Sequence, residues 1–275
     1  MELRVTRWKR YGHDRLYANL PDGTAAGWAD VSTGKITVLR AEHRADVIAA
    51  LTQHLRGRVE AEPQPTLPPL TPTDDLAANP PGKSLSDLLA ASGPRLLERL
   101  VARLLRRPTE WDSWRKGLAG ERRVGSELNR LTRHGWRVLH SVPLAGNVDI
   151  DHLLIGPGGV FSINTKHHHG RPVWVGDDAV RVAHGKPAPY VRKSRAEAKR
   201  VARVLDHYCT FPVPVEPVLV FVGVTELKVV ATQLTVRVYQ ERQVAALAPL
   251  SGALTAEQIE EVHSVARHRQ AWNRA

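Results

Sequence analysis

The sequence predicts an α/β protein in which a sheet carries helices on both faces, preceded by a small β-rich module. After residue 84, segments with helical and strand-like patterns alternate along the chain, which is typical of this class. The almost wholly apolar run at 215–224 is typical of a strand buried on both faces. A proline-rich segment precedes this region. We expect a module over residues 1–60, a linker over 61–83 and an α/β domain over 84–275.

Composition and charge narrow the classes of function. The chain has 275 residues and a formal charge of +11, from 39 Lys and Arg against 28 Asp and Glu. Such an excess favours polyanionic partners, chiefly nucleic acid, although an arginine-rich solvated surface is the alternative. The lone cysteine, Cys209, excludes a disulfide within the chain and fits a reducing compartment. With no signal-peptide pattern and no apolar run near the ~20 residues needed to span a bilayer, we expect a cytoplasmic protein without membrane contact.

The first 83 residues carry no motif to which we assign a chemistry. Short strand-like runs separated by turns are followed by a helical pattern at 42–55. The next segment, 61–82, holds seven of the 19 prolines, and proline removes backbone donors, so an extended spacer is expected. Its PxxP-like spacing is also compatible with docking into a partner groove.

The α/β domain is predicted to contain, after two shorter helices, the order helix, three strands, helix, strand, strand, helix, with a further short strand at 173–175 after the first three. The helix with the sequence GLAGERRVGSELNRL buries a row of apolar residues spaced at i, i+4 and i+7. Glu121 lies three residues before that row, so it is either an exposed helix residue or a carboxylate near the buried face. The predicted helices are 84–91, 94–107, 111–133, 194–208 and 255–272, and the predicted strands are 136–143, 147–155, 160–167, 173–175, 215–224 and 234–239.

The strongest functional signal is the hairpin predicted from Asn147 to His167. Its turn contains Gly156-Pro157-Gly158-Gly159, and side chains alternate faces along each strand. Asp149 and Asp151 should therefore share a face of the first strand, as Asn164 and Lys166 do on the second. A turn centred on Pro157-Gly158 pairs Asp151 with Asn164 and Asp149 with Lys166, and a slip of one residue would change this register.

An acid, an amide and a lysine gathered at one end of a hairpin suit phosphodiester hydrolysis. Carboxylate and amide oxygens are ligands that Mg²⁺ accepts, and bound metal activates water and polarises phosphate. Asp151 is the principal expected ligand, Asn164 contributes a carbonyl oxygen and Glu121 completes the site. Lys166 then orients or deprotonates the water and offsets charge at phosphorus. Asp149 is an accessory ligand or a partner of a nearby cation.

These residues resemble a known family. The segments GERRVGSELNRL and NVDIDHLLIGPGGVFSINTKHHHG are similar to the nuclease-related domain (NERD), a branch of the PD-(D/E)xK restriction-endonuclease-like superfamily, over about 111–240. The resemblance implies a central mixed sheet flanked by helices and Mg²⁺-dependent cleavage of DNA or RNA, with Mn²⁺ as a possible substitute. Glu121, Asp151 and Lys166 match the catalytic positions. The chain departs from the pattern at Asn164, where the family usually has Glu.

The departure at Asn164 leaves open whether the chain is an enzyme. An active hydrolase is favoured over a nucleic-acid-binding module that has lost catalysis. A protein–protein adaptor that uses the N-terminal module is the third alternative. A neutral amide oxygen replaces an anionic ligand there, so metal affinity should fall. Three consecutive histidines cannot all reach one ion from a regular strand. The candidate residues for contact with nucleic acid are Arg192, Lys193, Arg195, Lys199, Arg200, His167 and His169.

Overall fold

The computed structural model divides the chain into two compact units, each with its own apolar core: residues 1–63 and residues 64–275. The structure describes residues 3–10, 13–59, 65–91, 110–144 and 148–273. The helix predicted at 94–107 lies outside the described residues, as do Gly146 and Asn147 at the start of the predicted hairpin.

The first unit is a four-stranded antiparallel sheet, with strands in chain order, closed by one helix. Val47 and Leu51 of the helix are fully buried against the sheet. A Cβ added at Gly27 would lie 2.5 Å from Cγ1 of Val47, so the glycine allows the helix to approach closely. The elements are β1 (Arg4–Arg10), β2 (His13–Asn19), β3 (Ala25–Asp30), β4 (Ile36–Val38) and α1 (Arg44–Val59).

The second unit contains a mixed five-stranded sheet in the order β12-β10-β7-β6-β5. Strand β10 runs parallel to β7 and β12, and the other neighbouring pairs are antiparallel. The elements in this unit are α2 (Lys83–Ala91), α3 (Glu110–Asn129), β5 (Arg137–Leu144), β6 (Val148–Gly156), β7 (Gly159–His167), β8 (Pro172–Val175), β9 (Val180–Val182), α4 (Tyr190–Tyr208), β10 (Val215–Val222), β11 (Glu226–Val229), β12 (Arg237–Gln240) and α5 (Ala256–Ala266).

Helices cover both faces of the five-stranded sheet. On one face, Val124 and Leu128 of α3 share an apolar core with Phe161 of β7. On the other face, Val201 of α4 shares a core with Leu153 of β6, and α5 joins the same core. The interior strand β10 is buried from Val218 to Val222, as its almost wholly apolar run predicts. The predicted fold class, a restriction-endonuclease-like central mixed sheet flanked by helices with a small β-rich module before it, is confirmed.

A second, three-stranded sheet in the order β11-β8-β9 was only partly predicted. Its middle strand β8 was expected, whereas β9 and β11 were missed. These two strands have three and four residues. Runs this short hold too few alternating positions to stand out from loop sequence.

The proline-rich segment differs from the expected linker, because its described part packs onto the second unit. Leu76 is fully buried in the core that contains α5. The carboxylate of Asp75 accepts hydrogen bonds from the guanidinium of Arg267, with Nε at 2.9 Å. The backbone N–H of Leu76 donates to the Arg267 carbonyl at 2.8 Å. Residues 61–64 lie outside the described range.

Two helix boundaries also differ from the prediction. Helix α4 begins at Tyr190, a turn earlier than expected. The last helix begins after Thr255, whose hydroxyl caps it as predicted, but it ends at Ala266 instead of 272. A 3₁₀ helix over Arg269–Trp272 follows. The interruption coincides with the backbone contacts to the proline-rich segment, which no local pattern reveals.

Candidate active site

The hairpin of β6 and β7 has a two-residue turn, Pro157-Gly158, closed by the pair Gly156 and Gly159. Gly159 has a φ of +118°, which favours glycine. Pairing continues to His152 opposite Ile163. This is the register predicted from the turn.

Beyond His152 and Ile163 the two strands separate. Strand β6 continues along β5 as far as Val148, while β7 continues along β10 as far as His167. Within the described residues, β6 and β7 share no further paired positions. The result is a fork, which we call the β6–β7 fork, and the next residues on its two arms are Asp151 and Asn164.

Asp151 bridges the fork. Its Oδ2 accepts a hydrogen bond from the backbone N–H of Thr165 at 2.5 Å. The β5–β6 register passes from His140–His152 to Val142–Ile150 without pairing Ser141 and Asp151. Ser141 has a φ of 49°, in the left-handed region where non-glycine residues are uncommon. Ile150 and Leu153 belong to the same apolar core although they are three positions apart, an offset that strict alternation would place on opposite faces. Strict alternation, which predicted a common face for Asp149 and Asp151, therefore does not hold at this point of β6.

Glu121 reaches the fork from α3. The helix lies close to β7, because a Cβ added at the neighbouring Gly120 would be 3.1 Å from Cβ of His167. The Glu121 side chain is buried, and its Oε2 has no hydrogen-bond partner in the described part of the chain. Burial, followed by the negative charges of Asp151 and Asp149, raises the pKa of Glu121 to about 9, while Lys166 opposes the rise.

The pKa of Asp151 is also raised, to about 7, chiefly by burial. Lys166 opposes this shift, and so does the Thr165 N–H, whereas the charges of Glu197 and Asp149 add to it. Glu121 and Asp151 are thus carboxyl groups whose ionised forms lack sufficient stabilisation. A cation placed between them would supply it.

A further carboxylate, Glu197 of α4, was missed in the sequence. Its Oε1 accepts a hydrogen bond from the Ser162 hydroxyl at 2.7 Å, and its Oε2 accepts one from Nδ2 of Asn164 at 3.1 Å. Burial raises the pKa of Glu197. A signal was available, because Glu197 lies four residues before Val201 and so shares the buried row of this helix.

Asn164 is held through only one end of its amide. Nδ2 donates to Glu197, while the buried Oδ1 has no hydrogen-bond partner among the described residues. The free oxygen and the unpartnered Oε2 of Glu121 are orphaned acceptors at this end of the sheet, where the hydroxyls of Ser141 and Thr165 also lack a partner among the described residues. A buried acceptor without a donor is costly, and bound water or a metal ion would satisfy it.

Lys166 follows Asn164 by two positions on β7. Its Nζ lies 5.4 Å from the centre of the Tyr190 ring, at the first residue of α4. The same ammonium acts electrostatically on Glu121, Asp151 and Glu197. The structure therefore gathers Glu121, Asp149, Asp151 and Lys166 into one electrostatic cluster.

The three consecutive histidines point in different directions. Nδ1 of His167 lies 2.8 Å from the Lys116 carbonyl, to which it donates. His168 stacks on Tyr190 with ring centres 5.9 Å apart. His169 is exposed, and its ring centre is 6.3 Å from that of His167. No shared metal site arises from these rings.

The predicted basic run lies on α4. Arg192, Lys193 and Lys199 are exposed on the side away from the buried Glu197. Arg195 is engaged with Asp178, and its Nη1 donates to the Thr235 hydroxyl at 3.1 Å. Arg200 is half-buried. Contact with nucleic acid stays a prediction for these residues and for His167 and His169.

Two buried histidines, His140 and His152, pair next to Asp151 in the β5–β6 register. The Nδ1 atoms of His140 and His152 are 2.8 Å apart, and Nε2 of His140 lies 3.1 Å from Oδ1 of Asn129. Burial lowers the pKa of His140 to about 4 and that of His152 well below its usual value. Both rings are therefore neutral, and their facing nitrogens are occupied by each other.

The donor set at the fork consists of oxygens. In the part of the chain that the structure describes, no three His, Cys, Asp or Glu residues are grouped closely enough to hold a metal ion. Two carboxylates and an amide oxygen nevertheless fit the preference of Mg²⁺, which usually retains several waters and takes few protein ligands. Asp151, Glu121 and Asn164 are the residues that could supply them.

Comparison with known proteins identifies one family. Residues 116–222 match the family model described as the nuclease-related domain, so the resemblance noted in the sequence is confirmed over that segment. No curated protein and no solved structure matches the chain. Among the described residues, no helix is both long and apolar enough to cross a membrane.

Proposed function

We propose that this chain, which carries a nuclease-related domain over residues 116–222, is a metal-dependent nuclease that hydrolyses phosphodiester bonds of DNA or RNA. The observation that carries this proposal is the meeting of two carboxyl groups, the buried Glu121 and the half-buried Asp151, with the Lys166 ammonium at the β6–β7 fork. Such a combination is costly for stability and suited to holding a cation beside a phosphate.

Mg²⁺, with Mn²⁺ as a substitute, is the proposed cofactor. Asp151 and Glu121 would supply carboxylate oxygens, Asn164 its Oδ1, and Asp149 lies near enough to act electrostatically on both carboxylates. The metal, when bound, would lower the pKa of a coordinated water and neutralise charge on the phosphate. The unpartnered oxygens of Glu121 and Asn164 support this assignment.

The protein groups have distinct tasks in this scheme. Asp151 is oriented by the N–H of Thr165, which leaves its second oxygen available. Lys166 holds a positive charge beside the carboxylates, where it orients the attacking water and stabilises the charge that develops at phosphorus. Glu197 positions the Asn164 amide by accepting from Nδ2, so that the oxygen is the end left for a ligand.

A binding-only module of the same fold is the second candidate. It is favoured by the neutral amide at Asn164, and by the finding that no three His, Cys, Asp or Glu side chains among the described residues are close enough to hold one metal ion. A module of this kind would bind nucleic acid without cleaving it. The cleavage assay below separates the two candidates.

The test is cleavage of end-labelled DNA and RNA, single-stranded and duplex, by the full chain with Mg²⁺, Mn²⁺ or EDTA. We expect metal-dependent cleavage that falls about 100-fold or more in Asp151→Asn and Lys166→Gln. Glu127→Gln is the matched control, because Glu127 lies on α3 with Glu121 but pairs with Arg130 at 2.8 Å. It should cleave normally. Binding without metal-dependent cleavage of any substrate would establish the binding-only candidate instead.

A further inference from the structure

The three-stranded sheet β11-β8-β9 has one buried face and one accessible face. Val173, Val175 and Val180 are fully buried in a core shared with β10. The opposite face carries Arg181 and Lys228, which are exposed, with the half-buried Trp174 between them. This division follows from alternation along each short strand.

The strand register aligns these three side chains in one row. Trp174 of β8 pairs with Arg181 of β9 on one side and with Lys228 of β11 on the other. We call the row Lys228–Trp174–Arg181 the cation–tryptophan row. An aromatic ring with a cation on each side offers a surface for a flat base and positive charge for the phosphates next to it.

A cavity of about 860 Å³ opens beside this row. Trp174 and Arg181 form part of its wall, and His184, Pro187 and Val230 add to it. Its lining thus combines an aromatic ring, apolar surface and a cation, a combination that is common in sites for flat organic ligands.

Two acids also line the cavity, but both are engaged by protein groups. Asp177 accepts hydrogen bonds from the backbone N–H groups of Thr232 at 2.9 Å and Gln233 at 2.7 Å. Asp178 pairs with Arg195. No ion pair within the described part of the chain engages Arg181 or Lys228. Arg181 and Lys228 therefore supply the cations of this face, which also carries the exposed Glu226 two residues before Lys228.

The chain path connects this face to the β6–β7 fork. Strand β8 follows β7 after the histidine turn, and β11 follows the parallel neighbour of β7, so the small sheet stands at the end of the large sheet that carries Lys166. The cavity wall at 183–187 leads directly into α4, whose first residue, Tyr190, lies beneath the Lys166 ammonium. The chain thus passes from the fork to the small sheet through the histidine turn, and from the cavity wall into α4.

We propose that the cation–tryptophan row and its cavity bind an unpaired nucleotide of a nucleic-acid strand. Trp174 stacks on the base, while Arg181 and Lys228 contact the flanking phosphates. Single-stranded nucleic acid is favoured over duplex, because a base must expose its flat face to stack on a side chain. The link to cleavage rests on the proposed nuclease function, whereas the binding itself is independent of it.

The test is fluorescence anisotropy of the full chain with labelled 12-nucleotide dT and rU strands and with a duplex of equal length, all in EDTA. We expect preference for the single strands and about tenfold or more weaker binding by Trp174→Ala, with Trp174→Phe retaining most of the affinity. The double change Arg181→Gln and Lys228→Gln should lower the slope of log Kd against log salt by about 1.4. Arg203→Gln removes an exposed charge on α4 and is the control. It should lower the slope of log Kd against log salt by less than the double change does.

The outcomes separate this proposal from the nuclease function. Single-strand affinity unchanged in both Trp174→Ala and the double variant, with the melting temperatures retained, overturns the binding site even if the protein cleaves. Duplex preference overturns it as well. Weakened binding by these variants in a protein that never cleaves upholds the site while refuting the nuclease function. The Trp174→Phe and double variants keep the test valid if Trp174→Ala does not fold.

Discussion

At the scale of single residues, the contact between Asn164 and Glu197 bears on the proposed metal site, in which Asn164 would supply a neutral amide oxygen. Glu197 accepts from the amide nitrogen and so fixes which end of Asn164 is free. The negative charge that Asn164 lacks is present on the neighbouring helix, and it acts electrostatically on Asp151. In the proposed metal site, charge and ligand oxygen would thus be divided between Glu197 and Asn164.

This division predicts different effects for two changes at Glu197. In Glu197→Ala, Asn164 loses the acceptor that orients it, and we expect the Mg²⁺ concentration for half-maximal cleavage to rise about tenfold. In Glu197→Gln, the amide oxygen still accepts from Asn164 Nδ2, so the part of the metal affinity that depends on orientation should return, while the part that depends on the Glu197 charge stays lost. Mg²⁺ titrations of cleavage, with Mn²⁺ binding by calorimetry, measure both. Equal metal affinity in the two variants would contradict a positioning role.

The Glu121 carboxyl group should lower the stability of the metal-free protein, although it is a proposed metal ligand. Its raised pKa means that the folded protein keeps a proton which the unfolded chain releases above about pH 4.5. The resulting penalty is absent below that pH and grows as the pH rises towards about 9. Without metal, the carboxyl group therefore destabilises the fold at neutral pH.

We expect Glu121→Gln to stabilise the metal-free protein by about 1–3 kcal/mol at pH 7.5 while abolishing cleavage, because the neutral amide avoids the protonation penalty. The gain should shrink as the pH falls to about 4.5. Thermal unfolding in EDTA at several pH values measures it, and Glu127→Gln on the same helix serves as the control. A variant less stable than the parent at pH 7.5 would show that the Glu121 carboxylate has a stabilising partner.

At the scale of elements, α3 is held between the proline-rich segment and β7 by closely spaced glycines. A Cβ added at Gly125 would lie 2.5 Å from Cγ of Pro81, whereas at Gly117 the nearest atom is the flexible end of Leu85 at 3.2 Å. Alanine is the better helix former by about 1 kcal/mol. The two positions should therefore respond with opposite signs.

We expect Gly125→Ala to lower the free energy of unfolding by about 1–3 kcal/mol, since Pro81 must move away from the helix. Gly117→Ala should leave it unchanged or raise it by up to about 1 kcal/mol. Urea titrations of both variants provide the measurement. Stabilisation by Gly125→Ala would mean that the proline-rich segment does not pack on α3 in solution. The segment would then be the extended linker that the sequence predicts.

The elements also show what the sequence could predict. Local patterns were sufficient for the hairpin, because a Gly-Pro-Gly-Gly turn sets the register and alternation places Phe161 and Asn164 on opposite faces. The β6–β7 fork could not be predicted from local sequence patterns. It depends on β6 following β5 while β7 follows β10, which is a matter of tertiary pairing, and Ser141 gives no local sign of its left-handed backbone. Glu197 contacts Asn164 from a helix remote in sequence, so only its position on a buried row signalled it.

At the scale of the whole molecule, the basic charge is concentrated in the second unit. The first 63 residues contain 10 Lys and Arg against 8 Asp and Glu, which leaves 29 against 20 for residues 64–275. The second unit also contains its own cores, the fork and the cation–tryptophan row. A polyanion should therefore be attracted mainly to the second unit.

This distribution predicts that residues 64–275 alone fold and keep the salt dependence of nucleic-acid binding shown by the full chain. Each phosphate contacted on a single strand contributes about 0.7 to the slope of log Kd against log salt. We expect slopes that agree within one such contact in anisotropy titrations from about 50 to 200 mM salt, with circular dichroism confirming that the shorter chain is folded. If the chain is instead a protein–protein adaptor, binding is weak and insensitive to salt in both. If the slope falls by several contacts on removing residues 1–63, the first unit contacts the strand despite its small net charge, and the binding surface is not confined to the α/β domain.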